Sequence, residues 1–166
     1  MRATTLRIDS RLVHGQVIEA WLPALAVDSI VVVDEDSAGN QLARAAMRLA
    51  TPPEVSLTIL GLGEAGADLL GNEHRVLLLV PSIEAAVRLV DRLHPGTEDL
   101  LVNVGVVHHS PGRRPITPGI HLSRSDLDML SSLTDRGFVV EVRGLPSHSP
   151  MAVADARARY EKSSDI

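Results

Sequence analysis

The chain has 166 residues and a formal net charge of −5, with 45% of residues hydrophobic and 22% charged; this suits one hydrophobic core and excludes a disordered chain. The acidic balance, with one Trp, one Tyr and one Phe (Trp21, Tyr160, Phe138), argues against a counterion-displacing nucleic-acid surface and a base-stacking platform. The absence of cysteine excludes disulfides, thiolate catalysis and cysteine-held metals, and is compatible with a reducing compartment.

No apolar run reaches the roughly 18 residues a membrane span needs. Residues 1–9 are polar and lack the apolar core of a signal peptide. From there, β-branched runs alternate with Ala/Leu-rich stretches. A strand is predicted over residues 4–9, then a helix over 16–26 with Val17, Trp21 and Leu25 on one face. A strand over 29–34 precedes a helix over 41–50, where Leu42, Ala45, Ala46 and Leu49 recur at helical spacing. A strand over 54–61 leads to a short, Gly-interrupted helix over 64–70. Strands over 74–80, 100–105, 119–122 and 138–143 alternate with helices over 84–93 and 124–136. Ser123 and Asp126 have capping-pair spacing, and Arg136-Gly137 reads as a helix stop. A last helix is expected over 151–162, with 163–166 frayed.

The runs Ile30-Val31-Val32-Val33 and Val76-Leu77-Leu78-Leu79-Val80 are apolar throughout, as in strands buried on both faces. The expectation is a single α/β domain over residues 1–166, its last 17 residues a helix or tail. A mainly parallel sheet of six or seven strands would carry helices on both faces. The Pro/Arg-rich segment 111–118 reads as a surface loop. Function in such sheets gathers at the carboxyl ends of strands. The segments 9–15, 34–39, 61–63, 81–82, 103–109 and 144–150 are therefore the ones to inspect, and His14, His108, His109 and His148 fall within them.

The most informative segment is Arg7-Ile8-Asp9-Ser10-Arg11-Leu12-Val13-His14-Gly15-Gln16-Val17. It places a histidine just before a helix start, where unpaired N–H groups attract phosphate. Gly15 removes a side chain where an anion must approach, and Arg11 brings a planar cation toward the same anion. Asp9 is placed to orient the imidazole or to brace Arg11. A neutral imidazole is a good phosphoryl nucleophile near pH 7. No P-loop follows any strand. The string Gly61-Leu62-Gly63-Glu64-Ala65-Gly66 follows the third strand rather than the first, and no Gly-x-Ser-x-Gly elbow exists.

That first segment closely resembles the signature of IIB components of the mannose/fructose/sorbose class of bacterial phosphotransferase systems, including a following Trp matched by Trp21. The resemblance extends to Val31-Val32-Val33-Asp34-Glu35, Ala50-Thr51-Pro52-Pro53, Val102-Asn103-Val104-Gly105 with His108, and Val140-Glu141-Val142-Arg143-Gly144-Leu145-Pro146-Ser147. It implies a cytoplasmic phosphoryl carrier, peripheral to the membrane through its partners. His14 would take a phosphoryl group from a IIA phosphohistidine. It would pass it to a sugar entering through the IIC/IID permease. The resemblance implies no metal or organic cofactor.

Around that histidine, Arg11 and the backbone amides at Gly15 and Gln16 are expected to hold phosphoryl oxygens. Ser82, Ser147 and Ser149 would supply hydroxyl donors. Leu12 and Val13 are expected on an apolar rim facing the IIA partner, and His108 is expected to face a partner as well, toward the active loop. His148 is a rim candidate, while Trp21 reads as core. Adjacent His108 and His109 project to opposite sides and suggest no metal site. Two departures stand out: Ser10 replaces a second acid of the signature, and 110–118 is unusually Pro-rich. They keep a second reading open, a regulatory module whose phosphorylation state controls a partner without moving sugar. A homodimer also stays open.

Overall fold

The structure, a computed structural model, describes residues 4–70, 75–93, 97 and 99–163. Seven strands form one sheet in the order β3-β2-β4-β1-β5-β8-β9. Its members are β1 (Thr4–Asp9), β2 (Ser29–Val33), β3 (Ser56–Leu60), β4 (Val76–Val80), β5 (Leu100–Val106), β8 (Val139–Val142) and the two-residue β9 (Met151–Ala152). All pairings are parallel except β8 with β9. The expected α/β architecture is thus observed.

The apolar strands alternate their side chains between two cores. Ile30, Val32, Leu77 and Leu79 face α1 (Leu22–Leu25) and α3 (Gln41–Ala50). Val31, Val33, Leu78 and Val80, with Leu6, Ile8, Val102 and Val104, face α4 (Ile83–Leu93), α5 (Arg124–Asp135) and α6 (Val153–Lys162). The chain leaves β1 toward β2 on one side of the sheet, whereas β4 and β5 lead away on the other. The carboxyl end of β1 therefore lies at a switch in winding, where ligand crevices form.

Several expectations change. The predicted strand over 119–122 is β7 (Ile120–Leu122), which leaves the main sheet and pairs antiparallel with β6 (Arg114–Thr117). The segment 111–118 is therefore half of a hairpin rather than a plain loop, with Gly119 at φ 83° turning it. The predicted helix over 64–70 is two 3₁₀ turns, Leu62–Glu64 and Ala67–Leu70, consistent with its glycines. A short α2 (Glu35–Ala38) was not anticipated. Asp34 caps it, accepting from the amide and hydroxyl of Ser37. In α3 the stripe at helical spacing faces outward: Leu42 is 80% and Leu49 88% exposed, while Met47 enters the core. The start of the predicted strand over 74–80 lies partly outside the described residues.

The helix over residues 15–25 contains a π turn, Val17–Trp21, closed by the Leu22 N–H on the Val17 carbonyl. Pro23 gives the reason: it has no N–H to offer Glu19 and its ring crowds that carbonyl. α5 starts with a reciprocal capping box between Ser123 and Asp126. Its chain stops at Gly137, φ 96°. At the outer edge of the sheet, the Leu60 carbonyl turns inward to the Asp34 amide, so that of Ile59 points outward. The Arg44 guanidinium covers it at 3.3 Å. No helix among the described residues is long and apolar enough to cross a membrane.

Candidate functional site

The site is assembled on the carboxyl end of β1. Arg7 and Asp9 are two apart and so share a face of the strand, although both are fully buried. The β1–β5 register aligns Arg7 with Asn103, and the β5–β8 register aligns Asn103 with Glu141. A row of polar side chains thus crosses three strands of an otherwise apolar sheet.

Arg7 occupies the centre of this row. Its Nη1 donates to Asn103 Oδ1 at 2.6 Å and to the Arg143 carbonyl at 3.4 Å. Its Nη2 donates to Asp9 Oδ2 at 3.1 Å and to the Gly144 carbonyl at 3.2 Å. Nε alone is buried without a partner. The guanidinium lies 4.6 Å from the centre of the Trp21 ring, whose Nε1 donates to the same Gly144 carbonyl at 3.0 Å. Burial lowers the Arg7 pKa, and the charge of Asp9 beside it opposes that shift. Room for the guanidinium comes from Gly105, where any Cβ would collide with it. The β1–β5 register shifts by one residue between Ile8 and Asp9, beside this glycine.

Asp9 collects its surroundings. Oδ2 accepts from Arg7, as above, and from His14 Nε2 at 3.0 Å. Oδ1 accepts from the Arg11 amide at 2.9 Å. Buried and triply bonded, this carboxylate is held in one orientation. Asp9 thus contacts both groups considered for it, the His14 imidazole and Arg11, the latter through the Arg11 backbone amide.

The loop after Asp9 turns sharply. Leu12 adopts φ 58°, rare for a branched residue, and its amide returns to the Asp9 carbonyl at 3.0 Å. The turn drives Leu12 and Val13 into the core under the first helix, each 7% exposed. The expected rim is thereby corrected: these side chains anchor the loop and offer little surface to a partner. His14 follows as the helix cap. Its carbonyl accepts from Ile18 at 3.1 Å, and its Nδ1 accepts from the Gln16 amide at 3.3 Å. Its side chain is 15% exposed. The Arg11 side chain, 44% exposed, donates to Gln16 Oε1 at 3.1 Å and stands 3.9 Å from Asp9 Oδ1. At Gly15 a Cβ would meet nothing within 4 Å, so the space there is open.

Other candidates separate from this centre. Ser82 caps α4, its Oγ accepting from the Ala85 amide at 3.1 Å. Ser147, His148 and Ser149 are exposed on the loop after β8, whose first carbonyls Arg7 holds. His108 is exposed, and its amide donates to Ser10 Oγ at 3.3 Å, joining the loops after β5 and β1. His109 packs edge-on against His121, ring centres 5.6 Å apart. Arg113 is bound to Asp126 at 2.9 Å, while Arg114 lies over the Tyr160 ring. A cleft of about 170 Å³ opens beside Asp34, Glu35 and Arg88, but Asp34 caps α2 and Glu35 Oε1 accepts from the Leu62 amide. Sequence reasoning missed Arg7, Asn103 and Gly105 as supports. The available signal was a polar residue at each strand position that the registers then align.

The sequence profile described as "PTS system sorbose subfamily IIB component" matches residues 3–165. The chain belongs to this family of IIB components. It is thus a phosphotransferase component of the sorbose/fructose/mannose class. It is 26% identical over 147 residues to the fructose-specific EIIB component of Bacillus subtilis, covering 89% of this chain and 90% of that one. It is 23% identical over 155 residues to the sorbose-specific EIIB component of Klebsiella pneumoniae, covering 93% and 94%. Among solved structures, manxB from Thermoanaerobacter tengcongensis superposes with TM-score 0.82 at 26% identity, covering 96% of each chain. The IIB domain of the Klebsiella sorbose permease gives TM-score 0.82 at 23% identity, covering 95% and 97%, which supports the IIB fold.

Proposed function

We propose that this IIB component carries a phosphoryl group on Nδ1 of His14. One observation supports this most directly: Nε2 is engaged by the buried Asp9 carboxylate, while Nδ1 faces the Gln16 amide at a helix start. An ionised carboxylate only accepts, so Nε2 keeps its hydrogen and Nδ1 keeps its lone pair. That lone pair attacks the phosphorus of a phosphohistidine on a IIA domain. The new N–P bond forms as the donor's N–P bond breaks, and its electron pair returns to the donor ring. The Nε2 proton stays where Asp9 holds it.

Such transfer needs alignment and charge stabilisation at the equatorial oxygens rather than further covalent chemistry. The Gln16 amide exchanges Nδ1 for a phosphoryl oxygen. The open space at Gly15 admits the group, and exposed Arg11 swings from Gln16 Oε1 onto it. Onward transfer to a sugar hydroxyl, presented by a IIC/IID permease, returns the electron pair to Nδ1. The family supports IIA and permease partners, and the mannose-specific EIIAB component of Escherichia coli, 25% identical over 159 residues, carries IIA and IIB in its name; this chain matches 48% of it. The work would be done in the cytoplasm, at the membrane through those partners.

The test is incubation with phosphoenolpyruvate, the general phosphotransferase proteins and a IIA domain. An acid-labile label on the wild type that is lost in His14→Ala is expected. A label that survives the substitution overturns the assignment. Ser10, where the signature has a second acid, keeps the regulatory reading in view; that reading predicts that label on His14 never reaches sugar when permease-containing membranes are added.

A further inference from the structure

We infer that Arg7 is a positioning residue for the relay, setting the direction in which His14 presents Nδ1 without touching the phosphoryl group itself. The inference rests on the reading of His14 as acceptor, and deepens it. Arg7 and His14 donate to the same oxygen, Asp9 Oδ2, at 3.1 and 3.0 Å. The other Asp9 oxygen is held by a backbone amide of the loop that the carboxylate must itself steady. Among the described residues, Arg7 is the one strand side chain that bonds the Asp9 carboxylate, and it is itself held by Asn103 on β5 and by the Arg143 and Gly144 carbonyls just past β8.

A guanidinium suits this task because its planar fork fixes several acceptors at once. Here four bonds run from two nitrogens in two directions, toward Asp9 and toward β5 and β8. Stability alone gives little reason for the arrangement, since apolar residues of similar volume often serve a buried position as well as an ion pair does. Yet the fold provides for this one in detail. Gly105 is bare beneath the guanidinium, the β1–β5 register slips beside it, and Trp21 covers it from the helix that His14 starts. Trp21 also shares the Gly144 carbonyl with Arg7. The imidazole, its orienting acid and the loop over residues 143–150 are thereby referred to one side chain.

The test uses the full chain with ¹⁵N-labelled histidine. In the wild type, long-range ¹H–¹⁵N spectra should show His14 as the Nε2–H tautomer. In Arg7→Met the two ring-nitrogen shifts should move toward each other as tautomers mix. Arg7→Lys, which keeps the charge but loses the fork, should recover only part of the change. With phosphorylated IIA domain as donor, kcat should fall about 10- to 100-fold, while KM for that domain stays within twofold, because Arg7 is remote from the surface. Should the Arg7 variants fail to fold, Asn103→Ala removes one acceptor of the fork and should shift the same signals in the same direction. Unchanged His14 nitrogen shifts in a folded variant, or an effect confined to KM, overturn the inference. Labelling that does not depend on His14 overturns the acceptor reading instead, and the nitrogen shifts still decide what Arg7 does to the ring.

Discussion

Asp9 stands between Arg7 and His14, its Oδ2 accepting from Arg7 Nη2 at 3.1 Å and from His14 Nε2 at 3.0 Å. One carboxylate oxygen thus connects a fully buried cation with a ring at the protein surface. Asp9→Asn keeps the shape but places an amide opposite Nε2, and an NH₂ group turned that way favours the tautomer with hydrogen on Nδ1. The expected result is a loss of phosphoryl acceptance of about 10²- to 10⁴-fold, by analogy with tautomer-disrupting changes elsewhere. Initial rates of label transfer from phosphorylated IIA domain measure it. A loss below threefold would show that Asp9 does not govern the ring.

Arg11→Ala should separate stability from transfer. The side chain is partly exposed and makes one hydrogen bond, to Gln16, with Asp9 farther off. Its removal should change unfolding free energy by less than about 0.5 kcal/mol. Transfer should slow by about 10- to 100-fold through loss of a charge-assisted contact to the phosphoryl oxygens. Denaturant titration and label transfer on one preparation test both halves.

Leu12→Ala should behave as a core substitution. The side chain is buried against Val17, Leu22 and their neighbours. Destabilisation of about 2–4 kcal/mol is expected, read as a lower denaturant midpoint. A normal midpoint with weakened IIA binding would return Leu12 to the docking rim.

Ser82→Ala should remove the cap of α4 and cost about 1 kcal/mol. Its transfer rate should match the wild type. A rate loss larger than the loss of folded protein would place the hydroxyl in the relay after all.

Much of the architecture is legible in the residues because buried parallel strands are written as continuous β-branched runs. Ser123 with Asp126 likewise announces the start of α5 by hydrogen-bonding capacity alone. What escaped was set by tertiary context. Pro115 hides β6, since proline is a poor strand signal yet is tolerated in this two-stranded hairpin. The left-handed backbone at Leu12 is invisible to periodicity, and it decides that Leu12 and Val13 point inward. On α3 the regular apolar spacing is real, but the core takes Met47 on a different side. His14, Arg11 and Asp9 are recognisable as a local string, whereas Arg7, Asn103 and Gly105 become a unit only when strand registers align them.

The treatment of the sheet margins carries a further consequence. One margin ends in a strand of two residues, Met151–Ala152, and at the other Arg44 sits on the outward carbonyl of Ile59. Neither border is a good template for another copy's backbone. The fold is thereby discouraged from growing fibres with itself.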